Sequence, residues 1–229
     1  MKTLVCFLLL VGSAMAQTVI DLSVPQGTTK TITKEMGVVR PLVSQSNIDG
    51  TLIVEAGARI EMTAGSGINL RWSGTIDFRG TEAEPINIYP VAGATWRGFT
   101  NSYRTSASRP RFWLSHTNIS GASGTSSAIE LTYCQLMLSE VTIATARTDS
   151  LGRALRGMQL FGGTTSTGIV LDCTGLVTNC TFIGSTTGVT DHGKSVVFDN
   201  CQAVDVVTPF TWQPTTTRLQ TYHRFSVSR

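Results

Sequence analysis

Asp191-His192-Gly193-Lys194 puts a carboxylate, an imidazole and an ammonium within four residues. With Arg97, the Asp191 and His192 groups are the ones that could carry acid–base chemistry on an acidic polymer. Glycosidic hydrolysis needs two carboxylates placed across the scissile bond, and this turn supplies one. Asp191 to Lys194 therefore reads as a β-turn. Asp172, Asp191, Asp199 and Asp205 are the concentrated acids. Calcium wants six to eight oxygens, several of them carboxylate, and these four read instead as turn and surface aspartates. His116 and His223 have no partner at metal-ligand spacing, so no metal and no cofactor is expected. Tyr89, Trp96 and Arg97 form a candidate ligand-binding set within a wider series of aromatics: Trp72, Tyr89, Trp96, Tyr103 and Trp113. The competing use of the tryptophans is to fill an interior, and that use is favoured.

The ends and the composition bound what these groups can serve. Lys2, the apolar run Leu4 to Val11 and the small-x-small pattern Ala14-Met15-Ala16 read as a signal peptide over residues 1–16. The run is far below the ~20 residues that cross a bilayer. Secretion is the expected destination, with no membrane insertion by this chain. Eighteen basic residues face fifteen acidic ones for a net charge of +3 with no basic run, which gives no reason to expect nucleic acid as a partner. Asn118-Ile119-Ser120 and Asn179-Cys180-Thr181 are N-glycosylation sequons. The first is preferred because Asn179 adjoins an expected core cysteine.

The elements that must position all this come from a repeat. Gly50-Thr51-Leu52-Ile53-Val54 returns 24 residues later as Gly74-Thr75-Ile76-Asp77-Phe78. Between them Ile60, Met62, Ile68 and Leu70 alternate with Arg59, Glu61, Asn69 and Arg71, the period of a strand with one buried face. A unit this small cannot bury its own apolar face and needs copies stacked on either side. Ile60 and Ile86 are expected to stack, 26 residues apart. Further on, Val177-Thr178-Asn179-Cys180 matches Phe198-Asp199-Asn200-Cys201 at a spacing of 21. The expected fold is all-β, a single right-handed parallel β-helix with an irregular N-terminal cap. Its parts are the cap over 17–45, coils over 46–207, and a tail or the start of a further coil over 208–229. The polar stretch from Ala144 to Arg156 reads as a projecting loop.

Gly50 to Ile60 resembles the G-T-L-x-I-x-x-G-x-x-I phrase of the pectin-lyase-like superfamily of right-handed parallel β-helix proteins. Gly80-Thr81-Glu82-Ala83-Glu84-Pro85-Ile86 resembles its G-T-x-x-x-P-I turn, and Thr95-Trp96-Arg97-Gly98 follows. With the Asn-Cys coils, these phrases are similar to secreted or surface β-helix proteins of animals such as the Bark beetle family. The resemblance covers about residues 46–205. It implies the fold and leaves activity open, since the superfamily holds lyases, hydrolases, adhesins and non-enzymes. Its hydrolases carry a His-Gly element that Asp191-His192-Gly193 resembles, without the Asn-x-Asp, Asp-Asp and Arg-x-Lys partners.

Cys134, Cys173, Cys180 and Cys201 permit three pairings. Cys180 and Cys201 should stack one coil apart, Cys134 should lie about two coils before Cys180, and Cys173 with Cys180 is the other reasonable pair. Either disulfides or a ladder of free thiols fits. The function expected is a secreted non-catalytic module for adhesion or recognition of an extracellular glycan or protein, with end-to-end self-association as a further contact. A polysaccharide lyase or glycoside hydrolase acting on uronate-rich polymers, using Arg97, Asp191 and His192, is the alternative. A fragment of a larger cell-surface β-helix protein is the third reading.

Overall fold

Leu52 and Ile76 lie side by side on neighbouring parallel strands, in the register Thr51↔Thr75 to Glu55↔Arg79. The computed structural model describes residues 17–101, 109–123, 127–132, 134–145, 156–161, 163–164, 170–171, 173–191, 195–212 and 225–228. Three parallel sheets, here A, B and C, run the length of the molecule with nine, seven and seven strands. The chain visits them in the order A, B, C and then starts again, as a right-handed parallel β-helix. One coil is Arg59–Met62 in sheet A, Gly67–Leu70 in sheet B and Thr75–Arg79 in sheet C.

Inward rows explain why the coils stack. In sheet A, Val39, Ile60, Ile88, Ile119, Ile143, Phe182 and Ala203 succeed one another in register, and all are buried. Phe99 of sheet B fills the centre, edge-on to Phe78 at 6.0 Å, Trp96 at 5.4 Å and Phe112 at 5.2 Å. The repeated glycines have a steric cause. A Cβ on Gly74 would collide with the carbonyl oxygen of Ile48, and one on Gly50 with that of Pro25, each in the preceding coil. Close backbone approach therefore selects glycine at both copies of the repeat.

Two expectations change, and one left open is resolved. Residues 17–45 join the repeat rather than lying outside it, as a first coil and the start of the second: Gln17–Ile20 pairs with Val38–Pro41, Thr29–Ile32 with Thr51–Glu55, and Val24 bridges to Ile48. Its irregularity is a short 3-10 turn at Lys34–Met36. Ile60 stacks on Ile88, not Ile86, because the stretch from Arg79 to Asn87 is four residues longer than its counterpart from Glu55 to Arg59. At the other end Thr208–Trp212 and Phe225–Ser228 continue sheets B and A. Most of the loop expected from Ala144 to Arg156 lies outside the described residues.

Candidate functional site

The residues weighed for chemistry are dispersed. Trp96 is buried, and its indole N–H donates to the Ser120 carbonyl at 2.8 Å, so it is unavailable to stack on a ligand. Its neighbour Arg97 is exposed just ahead of the sheet B strand Phe99–Asn101. Tyr89 is half-buried on sheet A beside Glu61. Asp191 ends the strand Thr187–Asp191, in the register row of Leu160, three coils beyond Arg97. At about 4.8 Å per coil and 3.3 Å per residue, the two backbone positions are about 20 Å apart. His192 and Asp172 lie outside the described residues. Among the described residues no group of three or more His, Cys, Asp or Glu could hold a metal ion.

The aromatics also occupy different faces. Trp72 sits at the corner between sheets B and C with φ 50°, and Trp113 lies on the outside of sheet C. The tryptophans thus do not share the interior, and they do not form a strip with Tyr89. Tyr103 lies outside the described residues.

What the structure does gather is an outward row on sheet C. Asp77, Trp113, Met137, Leu176 and Val197 are consecutive in register on five strands. Asp77 is paired with Arg79, whose Nε donates to its carboxylate at 2.8 Å, and that hydrogen bond pushes the guanidinium further up. From Trp113 onward the row is apolar, with Met137 50% and Leu176 43% exposed. Arg111 lies over the Trp113 ring at 5.4 Å. Polar rows flank it: Arg111, Gln135 and Thr174 on one side, Ser115, Ser139, Thr178 and Asp199 on the other. The sequence signal is a broken alternation. In Leu136-Met137-Leu138 and Leu176-Val177, a hydrophobic residue occupies the outward position where a polar one belongs.

At the corner from sheet C to sheet A, single residues in the left-handed region stack: His116 (φ 39°), Glu140 (φ 56°), Asn179 (φ 51°) and Asn200 (φ 50°). Asparagine tolerates this conformation better than most side chains. Asn200 Nδ2 donates to Asn179 Oδ1 at 2.7 Å, and Asn179 Nδ2 to Glu140 Oε1 at 2.6 Å. Asn179 is exposed, whereas Asn118 is half-buried in sheet A and donates its amide to Asn87 Oδ1 at 3.0 Å. Exposure thus favours Asn179 as the accessible sequon, the reverse of the order read from neighbouring residues.

All four described cysteines are buried thiols. Cys180 and Cys201 stack one coil apart, as the 21-residue spacing requires, because Thr181 is in register with Gln202. The Cys180 thiol donates to the Thr178 carbonyl at 3.1 Å. Its hydrogen bond with Cys201, together with burial, pushes the Cys180 thiol far up. Cys134 is not on this ladder; Val141 takes that place, its carbonyl accepting from Thr181 N–H at 2.9 Å. Cys134 instead meets Cys173 at the corner between sheets B and C, Sγ to Sγ 3.5 Å. Cys173 and Cys180 stand at opposite ends of the strand Thr174–Thr178, which rules out their direct pairing in this fold.

Comparisons with family models, with curated proteins and with solved structures found no match to this chain.

Proposed function

We propose that the chain is a secreted, non-catalytic β-helix module for extracellular adhesion, recognising a protein surface through the outer face of sheet C. The observation that carries this reading is the outward row of half-buried Trp113 with exposed Met137 and Leu176, with Arg111 over Trp113 and hydroxyl and amide rows on both sides. Tryptophan, methionine and arginine are the residues enriched in protein–protein contact cores, and a polar rim around an apolar centre is their usual setting. A patch of this kind is more than scattered surface hydrophobes, since the three side chains are adjacent on neighbouring strands. The separation of Arg97 from Asp191 supports a binding role over the lyase or hydrolase alternative. The parallel coils, with the phrases at Gly50 to Ile60 and Gly80 to Ile86, support placing the chain in the pectin-lyase-like superfamily.

The test incubates the mature protein with pectic, uronate and glycosaminoglycan polymers, and separately with cells of the organism that encodes it. The expected result is unchanged polymer length, together with cell binding that protease treatment of the cells removes and glycosidase treatment leaves. Polymer shortening that Asp191→Asn abolishes would overturn the reading in favour of the enzyme. Cell binding removed by glycosidase alone would replace the protein ligand by a glycan.

A further inference from the structure

Cys134 and Cys173 occupy the same corner of consecutive coils, each immediately before a sheet C strand. The strands that follow, Gln135–Ser139 and Thr174–Thr178, are in register from Gln135↔Thr174. Thr174 N–H donates to the Cys134 carbonyl at 2.9 Å, so the parallel ladder already includes this position. Both thiols are fully buried, and their sulfurs face each other at 3.5 Å.

The coil between them is unusual. It spans 39 residues, against 21 from Asn179 to Asn200. Among the described residues it also holds the only antiparallel pairing, Gly163–Thr164 with Val170–Leu171, a ribbon that ends two residues before Cys173. The pair thus sits at the base of that ribbon, where the longest detour of the chain rejoins the stack.

We infer that Cys134 and Cys173 form a disulfide in the mature protein, closing its longest coil at the foot of the ribbon. Directly stacked positions are about 4.8 Å apart, within the ~4.4–6.8 Å Cα range of disulfides. Geometrically, side-chain rotation brings the sulfurs from contact to bonding distance. Cys180 and Cys201 differ in the coil they close, which is short, at the 21 residues that also separate Asn179 from Asn200. The inference rests on the reading that the protein is exported, because thiols stay reduced in the cytosol.

The chemistry is thiol–disulfide exchange with a disulfide donor such as oxidised glutathione or an oxidised protein disulfide isomerase. One cysteine thiolate attacks a donor sulfur, and the donor's other sulfur leaves as a thiolate. The second cysteine thiolate then displaces the remaining donor sulfur from the mixed disulfide. The cysteine pair loses two protons and two electrons, and the donor is reduced to two thiols. Burial of both sulfurs places this reaction during folding, before the coil closes.

The experiment takes mature protein from the medium of a secretory host, denatures it without reductant and alkylates it with iodoacetamide. It is then reduced and labelled with N-ethylmaleimide. Chymotryptic cleavage after Leu176 separates Cys173 from Cys180. Cys134 and Cys173 are expected to carry at least tenfold more of the second label than of the first. An unreduced digest should contain their two peptides joined, two hydrogens lighter than their sum. An exported protein with both thiols alkylated in the first step overturns the inference. In a second arm the reduced, unfolded chain is refolded in a glutathione redox buffer, where the same link is expected whatever the host does. Failure of export alone counts against the secretion reading. Refolded protein with both thiols free, or with Cys173 joined elsewhere, counts against the pairing.

Discussion

Asn200 holds a left-handed backbone and donates to Asn179 across one coil, two contributions that substitution can separate. Asn200→Gly keeps the backbone free to adopt φ 50° and loses the hydrogen bond, so it should cost about 1 kcal/mol. Asn200→Ala adds about 1 kcal/mol of backbone strain to that loss. Urea unfolding of the two variants checks the order, and a glycine variant no more stable than the alanine variant would remove the backbone argument. Cys180 sets a second expectation. Its thiol is raised above an ordinary value near 9, so the stability it contributes is fully present below that value. As pH rises past it, the unfolded thiol ionises more readily than the folded one, and stability falls. With reductant present, the urea midpoint should be level through neutral pH and decline above about pH 9. The decline should be shallower in Cys180→Ser. Asn179 and Asn200 were readable as a repeated turn-and-core pair with the cysteines, because a left-handed corner selects asparagine from few residue types. Filling the interior, the use favoured for the tryptophans, holds for Trp96, whereas Trp72 and Trp113 lie outside it, since an interior indole and an outer one use the same side chain.

At the scale of the strand and sheet, alternation reveals one period and hides what interrupts it. Leu52 over Ile76 was readable because equal turn lengths preserve the spacing. Ile60 over Ile88 was not, because the turn from Gly80 to Pro85 lengthens that coil. The first coil escaped for a related reason: its strands Gln17–Ile20 and Thr29–Ile32 bury one side chain, Ile32, so they show little alternation. The outer row of sheet C was hidden in the opposite way. Met137 and Leu176 look like core by composition, and only their odd position between inward neighbours separates them from it. The interior itself makes a plain prediction. Phe99 contacts three other aromatic rings, so Phe99→Ala should cost about 3–5 kcal/mol of unfolding free energy. A loss below 1 kcal/mol would mean that the aromatic centre is not packed as described.

Over the whole molecule, each coil touches chiefly its neighbours, so stability accumulates along the stack while function falls to positions that break the repeat. The corner ladder and the inward rows repeat and serve packing. The apolar row on sheet C breaks the alternation, faces solvent and lies on strands held in register by the coils around it. Substitution there separates folding from binding, because exposed positions usually change stability by no more than ~0.5 kcal/mol. The measurement that bears most directly on this account is the affinity of the double variant Met137→Asp with Leu176→Asp for the cell surface, with its thermal unfolding recorded alongside. The account predicts at least a tenfold loss of binding, about 1.4 kcal/mol, with an unfolding temperature close to that of the unmodified protein. Binding within twofold of the unmodified protein, with both aspartates in place and the fold intact, would contradict it.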